Sequence, residues 1–157
     1  MNTLNKLYQY FEKVTPLSFD CGELCGAKCC KGDMDNGMIL FPGEEEFFLA
    51  DENFRVFYDK RYDCNIVSCK GFCSRTKRPL SCRIFPFLFY KTDAQTSCKP
   101  GADIRALDFC PIFDCEISVD RQFLRYMRIA SKLIDSDEEF SAFIVKLTSL
   151  LSDTNGL

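Results

Sequence analysis

The chain contains no histidine. That absence removes the usual base of a catalytic cysteine and the imidazole ligands of most catalytic zinc sites. Any zinc bound here must be held by cysteine alone or with a carboxylate. No segment approaches the roughly 20 apolar residues that span a bilayer. The start, "MNTLNKLYQYFEKVTPL", lacks a basic region followed by an unbroken apolar stretch, so it does not read as an export signal. The expectation is a cytoplasmic protein with no membrane association. Internal repeats, low-complexity tracts and glycine-rich phosphate loops are also missing. The net charge of −3 gives no reason to expect nucleic acid. A chain of 157 residues, 46% hydrophobic and 27% charged, suits one globular domain over 1–157.

What is abundant is cysteine, with eleven in the chain. Reducing compartments disfavour disulfides. The count is odd, and Cys29 and Cys30 are neighbours. Adjacent Cα atoms lie about 3.8 Å apart, whereas unstrained disulfides want about 4.4–6.8 Å. Metal is therefore expected ahead of a disulfide framework. The thiols form three groups: Cys21, Cys25, Cys29 and Cys30; then Cys64, Cys69, Cys73 and Cys82; then Cys98, Cys110 and Cys115. Gaps of three residues let one loop wrap a single centre. Thiolate is soft and selects zinc, iron–sulfur clusters or Cu(I). An all-cysteine set suits zinc and a 4Fe-4S cluster equally. Scattered ligands and a vicinal pair are less like the paired knuckles of zinc ribbons, which tilts the expectation slightly to iron–sulfur.

Around the cysteines the pattern is α-rich α+β. Leu4, Leu7, Tyr8, Phe11 and Val14 share a helical face that Pro16 ends. Residues 18–37 read as a loop. "FPGEEE" predicts a short helix near residues 43–50, with Glu44, Glu45 and Glu46 as a charged helix start. Residues 54–58 predict a strand. Residues 64–82 are cysteine-rich, Pro86 demotes "RIFPFLFYK" to an edge strand or extended segment, and residues 92–103 read as a surface loop. Ser118 is expected to cap a helix running to about 136 that buries Phe123, Met127, Ala130 and Ile134. Ser136 with Glu139 reads as a capping box for a helix striped by Phe140, Phe143, Ile144, Leu147, Leu150 and Leu151. The last five residues are expected to fray. A metal-binding core over residues 18–116, with irregular loops and short strands, thus precedes a helical hairpin over 117–152. Ordering such loops costs about 1–2 kcal/mol per residue, and metal–thiolate bonds can offset it.

The run "CGELCGAKCC", then "ILFPGEEE", "CKGFCSRTKRPLSCRIFPF" and "FCPIF", resembles the zinc- or iron-chelating CxxCxxCC (YkgJ-like) cysteine cluster family over roughly residues 21–115. The most specific part is "RPLSCRIFPF", where Arg78, Pro79, Cys82, Arg83, Phe85 and Pro86 match the family's RPxxCRxFP pattern. The first two cysteine gaps here are three residues where the family has two. The resemblance implies metal held by Cys21, Cys25, Cys29, Cys30, Cys69, Cys73, Cys82 and Cys110, with Cys64, Cys98 and Cys115 as extras. Some relatives resemble flagellin lysine N-methylases that use S-adenosylmethionine.

Eight thiolates make two four-ligand centres, or one with spare cysteines. Four thiolates around a +2 centre leave a net −2. Lys70, Arg75, Lys77, Arg78 and Arg83 are placed in sequence to neutralise it and donate to sulfur. The sharper alternative makes Arg78 and Arg83 a binding site for an anion or cofactor tail. A radical S-adenosylmethionine enzyme is excluded, because its C-x3-C-x2-C signature meets Lys28 at the third position. Two functions remain. The first is a metal-binding protein holding zinc or an iron–sulfur cluster, structural or redox-accessory, acting with an unspecified protein partner. The second is a metal-dependent enzyme akin to a protein-lysine N-methyltransferase, which requires a cofactor pocket beside the cysteines.

Overall fold

The computed structural model describes residues 1–30, 36–114 and 118–154. Cys115 and residues 155–157 of the expected frayed end lie outside the described residues. The first helix, α1 (Thr3–Tyr10), starts where the Asn2 side chain accepts from the Asn5 N–H at 2.9 Å. Leu4 and Leu7 face inward, and Phe11 follows them into the core. The helix stops at Tyr10, short of Pro16. The segment leaving it is held by Arg75, whose guanidinium donates to the carbonyls of Phe11, Glu12 and Val14.

The expected loop after Pro16 contains a single helical turn, α2 (Gly22–Cys25), closed by Gly26 in the left-handed conformation. This is a helix end that glycine adopts without steric cost. A tight 3-10 turn, Lys28–Cys30, follows. Strands β1 (Met38–Ile39), β2 (Phe54–Asp59) and β3 (Cys64–Cys69) form an antiparallel sheet in the order β1-β3-β2. In register, Val56 faces Val67 and Phe54 faces Cys69. Gly37 is required beside this sheet, because a Cβ there would lie 2.6 Å from the Val67 carbonyl oxygen. The strand at 54–58 is as expected, but β3 is a central strand where the sequence pattern predicts only a cysteine-rich stretch.

Residues 80–90 hold α3 (Leu80–Ile84) and then β4 (Phe87–Tyr90), which pairs with β5 (Lys99–Ala102) in a two-stranded antiparallel sheet. Pro86 sits just before β4, where its missing N–H costs no ladder bond. The expected surface loop over 92–103 thus ends in a strand. α4 (Pro111–Asp114) is one turn directly after Cys110.

The C-terminal helices are α5 (Arg121–Asp135) and α6 (Glu138–Thr154). Phe123, Met127, Ala130 and Ile134 are buried as the pattern predicts. The caps differ from expectation by one or two residues. Asp120, not Ser118, accepts from the Phe123 N–H at 2.9 Å. Asp137, not Ser136, accepts from Glu139 and Phe140. Ser136 instead closes α5, its hydroxyl donating to the Leu133 carbonyl. In both cases a carboxylate outcompetes a nearby hydroxyl at a positive helix end. α5 and α6 pack on each other, on α1 and on the β4–β5 hairpin. Their shared core holds Leu7, Phe11, Phe41, Phe89, Phe123 and Phe140. Leu147 and Leu151 of α6 cover Ile39 and Ile66 of the larger sheet. Among the described residues no helix is long and apolar enough to cross a membrane.

Glu44 departs most from expectation. It opens a 3-10 turn, Glu44–Phe47, rather than a solvated α-helix start, and it is completely buried. Its carboxylate accepts from the Tyr8 hydroxyl at 2.5 Å, the Leu80 N–H at 2.6 Å and the Phe41 N–H at 2.8 Å. Burial raises its pKa from 4.5 to about 7, against the pull of these three donors. A carboxyl that binds its proton more tightly in the folded state makes stability fall as pH rises from about 4.5 through about 7. Replacing Glu44 by Gln should flatten that fall in urea titrations run across the window. Glu44→Ala, which strands two buried backbone N–H groups, should cost on the order of 3 kcal/mol.

Candidate metal centre

Ten cysteines fall in the described residues and none is in a disulfide. The fold sorts them by surroundings. Cys64 and Cys98 are buried among apolar side chains, Cys64 against Ile39 and Ile66, and Cys98 in the main core. Burial pushes the Cys64 thiol up to about 11 and the Cys98 thiol up to about 12. They behave as small apolar side chains.

The other eight gather at the side of the molecule where residues 18–30 meet α3 and α4. Cys21, Cys25, Cys29 and Cys110 line one hollow, walled by Phe85 and Phe109. Its interior is about 10 Å³, the room that one water-sized sphere needs. The hollow exists because α2 turns back at Gly26 and because Leu17, Phe85 and Ile112 bury Cys110 against Cys21. Desolvation raises the Cys21 thiol first, and Asp20, Cys110 and Cys25 add to it. Desolvation likewise raises Cys110, with Cys25 and Asp114 contributing.

Cys30, Cys69, Cys73 and Cys82 form the second gathering. Cys69 ends β3, Cys73 sits four residues on, and Cys82 lies in α3. The Cys82 thiol is pushed well above its ordinary range, chiefly by desolvation and then by Cys30, Cys73 and Cys69. Cys73 is raised by desolvation and Cys69, and lowered by Arg78. Between the two gatherings the Sγ atoms of Cys29 and Cys30 lie 4.0 Å apart. A hydrogen bond between them, the largest effect on both, lowers Cys30 and raises Cys29; Arg78 lowers Cys30 further.

The cations expected to neutralise the thiolates are mostly engaged elsewhere. Arg75 holds the end of α1, and Lys77 pairs with Asp51 at 2.6 Å. Arg83 is buried, donates to the carbonyls of Arg78 and Thr76, and covers the Tyr8 ring at 4.5 Å. Arg78 is different. It reaches Asp20 at 4.0 Å and lies close enough to Cys73 and Cys30 to lower both thiols. Its Nε is nevertheless buried without a partner, and so is the Ser81 hydroxyl. An unsatisfied buried donor costs about 1–3 kcal/mol, so an acceptor other than a protein oxygen fits beside it.

Among the described residues, no three cysteine or acidic side chains converge closely enough to hold a metal ion as they stand. The donor set itself fits a soft metal: free thiols, a walled hollow and an orphaned guanidinium N–H. Sequence reasoning missed Glu44. An acidic run after proline carries no local sign of burial, because its partners Tyr8 and Leu80 lie 36 residues away on either side. No protein-family model, curated protein or solved structure matches the chain.

Exposure and thiol acidity together order the reactivity of the metal-free, reduced chain. Alkylation mapped by mass spectrometry at neutral pH should label the Cys29–Cys30 pair first, where one thiol is exposed and its neighbour acidified. Cys64 and Cys98 should be labelled last.

Proposed function

We propose that this is a metal-binding protein that holds zinc or an iron–sulfur cluster through cysteine thiolates, in a structural or redox-accessory role. The observation that carries the reading is the assembly of eight thiols from residues 21–30, 69–82 and 110 on one side of the fold, while Cys64 and Cys98 stay in the apolar core. These eight are the ones that the resemblance to the CxxCxxCC family implies. Thiolate donors without imidazole favour zinc and iron–sulfur centres over hard cations. In this reading the ligands would be Cys21, Cys25, Cys29, Cys30, Cys69, Cys73, Cys82 and Cys110, and Arg78 would donate to sulfur. The irregular segments 18–30 and 70–79 would gain from metal the order that apolar burial supplies elsewhere.

The lysine-methyltransferase-like alternative needs room for a cofactor beside the cysteines. The hollow there is about 10 Å³. A larger depression of about 450 Å³, lined in part by Tyr8, Phe47, Asp51 and Lys77, contains none of the eight thiols. Binding is therefore the reading put forward.

Anaerobic purification with metal and sulfide analysis tests it. Brown protein with visible thiolate-to-iron absorption identifies a cluster, and colourless protein with stoichiometric zinc identifies a zinc site. Protein that carries and takes up neither sinks the proposal. Cys82→Ser and Cys29→Ser should lower metal content and melting temperature together. Cys98→Ser should keep full metal content, whatever it costs the core.

A further inference from the structure

We propose that the depression of about 450 Å³ beside α1 is a docking site for a basic peptide of a partner protein, with an arginine side chain taking the place that Lys77 occupies on Asp51. The depression contains none of the eight thiols, so the inference stands apart from the metal-binding reading.

Size, rings and charge carry it. The volume lies within the roughly 300–1,000 Å³ of ligand sites. Tyr8, Phe47, Phe48 and Phe54 supply the rings of the lining, and Asp51 and Lys77 supply its charged groups. The rings are set in pairs. Phe47 meets the Tyr8 ring edge-on at 5.4 Å, and the Phe48 and Phe54 rings lie 4.8 Å apart. Aromatic faces attract cations, and one of these rings already holds a guanidinium: Arg83 lies over Tyr8 at 4.5 Å. The stretch from residue 45 to 54 carries Glu45, Glu46, Asp51 and Glu52 and no basic side chain. Glu46 and Glu52 are exposed. Rings beside acidic side chains select a cation over an anion. Phe47 is half exposed and Leu49 is 71% exposed. They extend the apolar surface past the depression, where the neighbours of an arginine in a peptide would lie and a free amine would not reach.

Lys77 is a built-in competitor for this cation. Its ammonium reaches Asp51 at 2.6 Å, yet its side chain is 58% exposed against 19% for Asp51. An ion pair with one partner so exposed contributes little, so an incoming cation displaces it readily. The Asp51 carboxylate stays aimed when Lys77 leaves, because the Asn53 N–H and side-chain amide both donate to it at 3.0 Å. A guanidinium presents a planar fork of donors to a carboxylate and stacks on rings, which an ammonium does less well.

The test is fluorescence anisotropy of a dye-labelled peptide in which arginine alternates with leucine, titrated with the full chain. Binding should saturate and weaken as salt is raised. Phe47→Ala and Asp51→Asn should each weaken it about five- to tenfold. Lys77→Ala should tighten it about threefold by removing the competitor. A gain in affinity does not arise from a misfolded chain, so this variant keeps the test independent of folding losses. Lys99→Ala, the same change of charge on β5, should leave the affinity unchanged. Equal tightening by Lys77→Ala and Lys99→Ala would make the attraction a matter of net charge and overturn the site. Binding undiminished by Phe47→Ala overturns it too, as does the absence of saturable binding. Free arginine that binds as tightly as the peptide overturns the peptide as occupant. Metal analysis of the same samples keeps the two readings separate, since each of these outcomes leaves the metal-binding reading where it stands.

Discussion

A carboxylate buried without a cation in contact holds the cysteine-rich half of this molecule to the helical half. Glu44 gathers donors from three places: the Tyr8 hydroxyl of α1, the Phe41 N–H just before its own turn, and the Leu80 N–H that opens α3. Arg83, one turn along α3, lies over the Tyr8 ring and closes the arrangement. Cys82 sits between Leu80 and Arg83, so its position is set by this polar network together with the core packing of Leu80 and Ile84. Such a network is costly when incomplete, and here all three donors reach a Glu44 oxygen. Cys82 is thus held in place before any metal is considered.

The thiol arrangement follows from how local turns meet that frame. α2 and the 3-10 turn at Lys28–Cys30 fan four thiols over ten residues. α3 and the end of β3 bring thiols to one side of the fan, and the segment leading into α4 brings Cys110 to the other. Arg78 lies at the thiol cluster and lowers Cys73 and Cys30, while Phe85 and Phe109 wall the hollow beside Cys110. Arg75 and Arg83, cations that the sequence associates with the thiols, serve the protein backbone instead.

Long elements were legible in the sequence because their signals are local and repeated. The stripes of α5 and α6, the face of α1 and the strand at 54–58 all follow from side-chain period. β3 was not, since "CNIVSC" has no alternation: Ile66, Val67 and Ser68 are all buried. β5, "KPGA", carries proline and glycine, which argue against a strand unless its partner is known. The helix caps were displaced by a residue or two because hydroxyl and carboxylate candidates stood side by side. Cysteine spacing indicated that the thiols would gather, but not how they would sort. Cys110 meets Cys21 only through the packing of Leu17, Phe85 and Ile112, which no spacing encodes. The burial of Glu44 was hidden for the same reason.

The Arg75 clamp has a consequence for how the chain acquires its structure. Three carbonyls in the segment just after α1 are satisfied by a side chain that follows 61 to 64 residues later. Without that arginine, those carbonyls have only water as a partner. A fragment ending before residue 75 should therefore hold the exit of this helix only loosely, and the path of residues 11–14 is fixed from the middle of the chain.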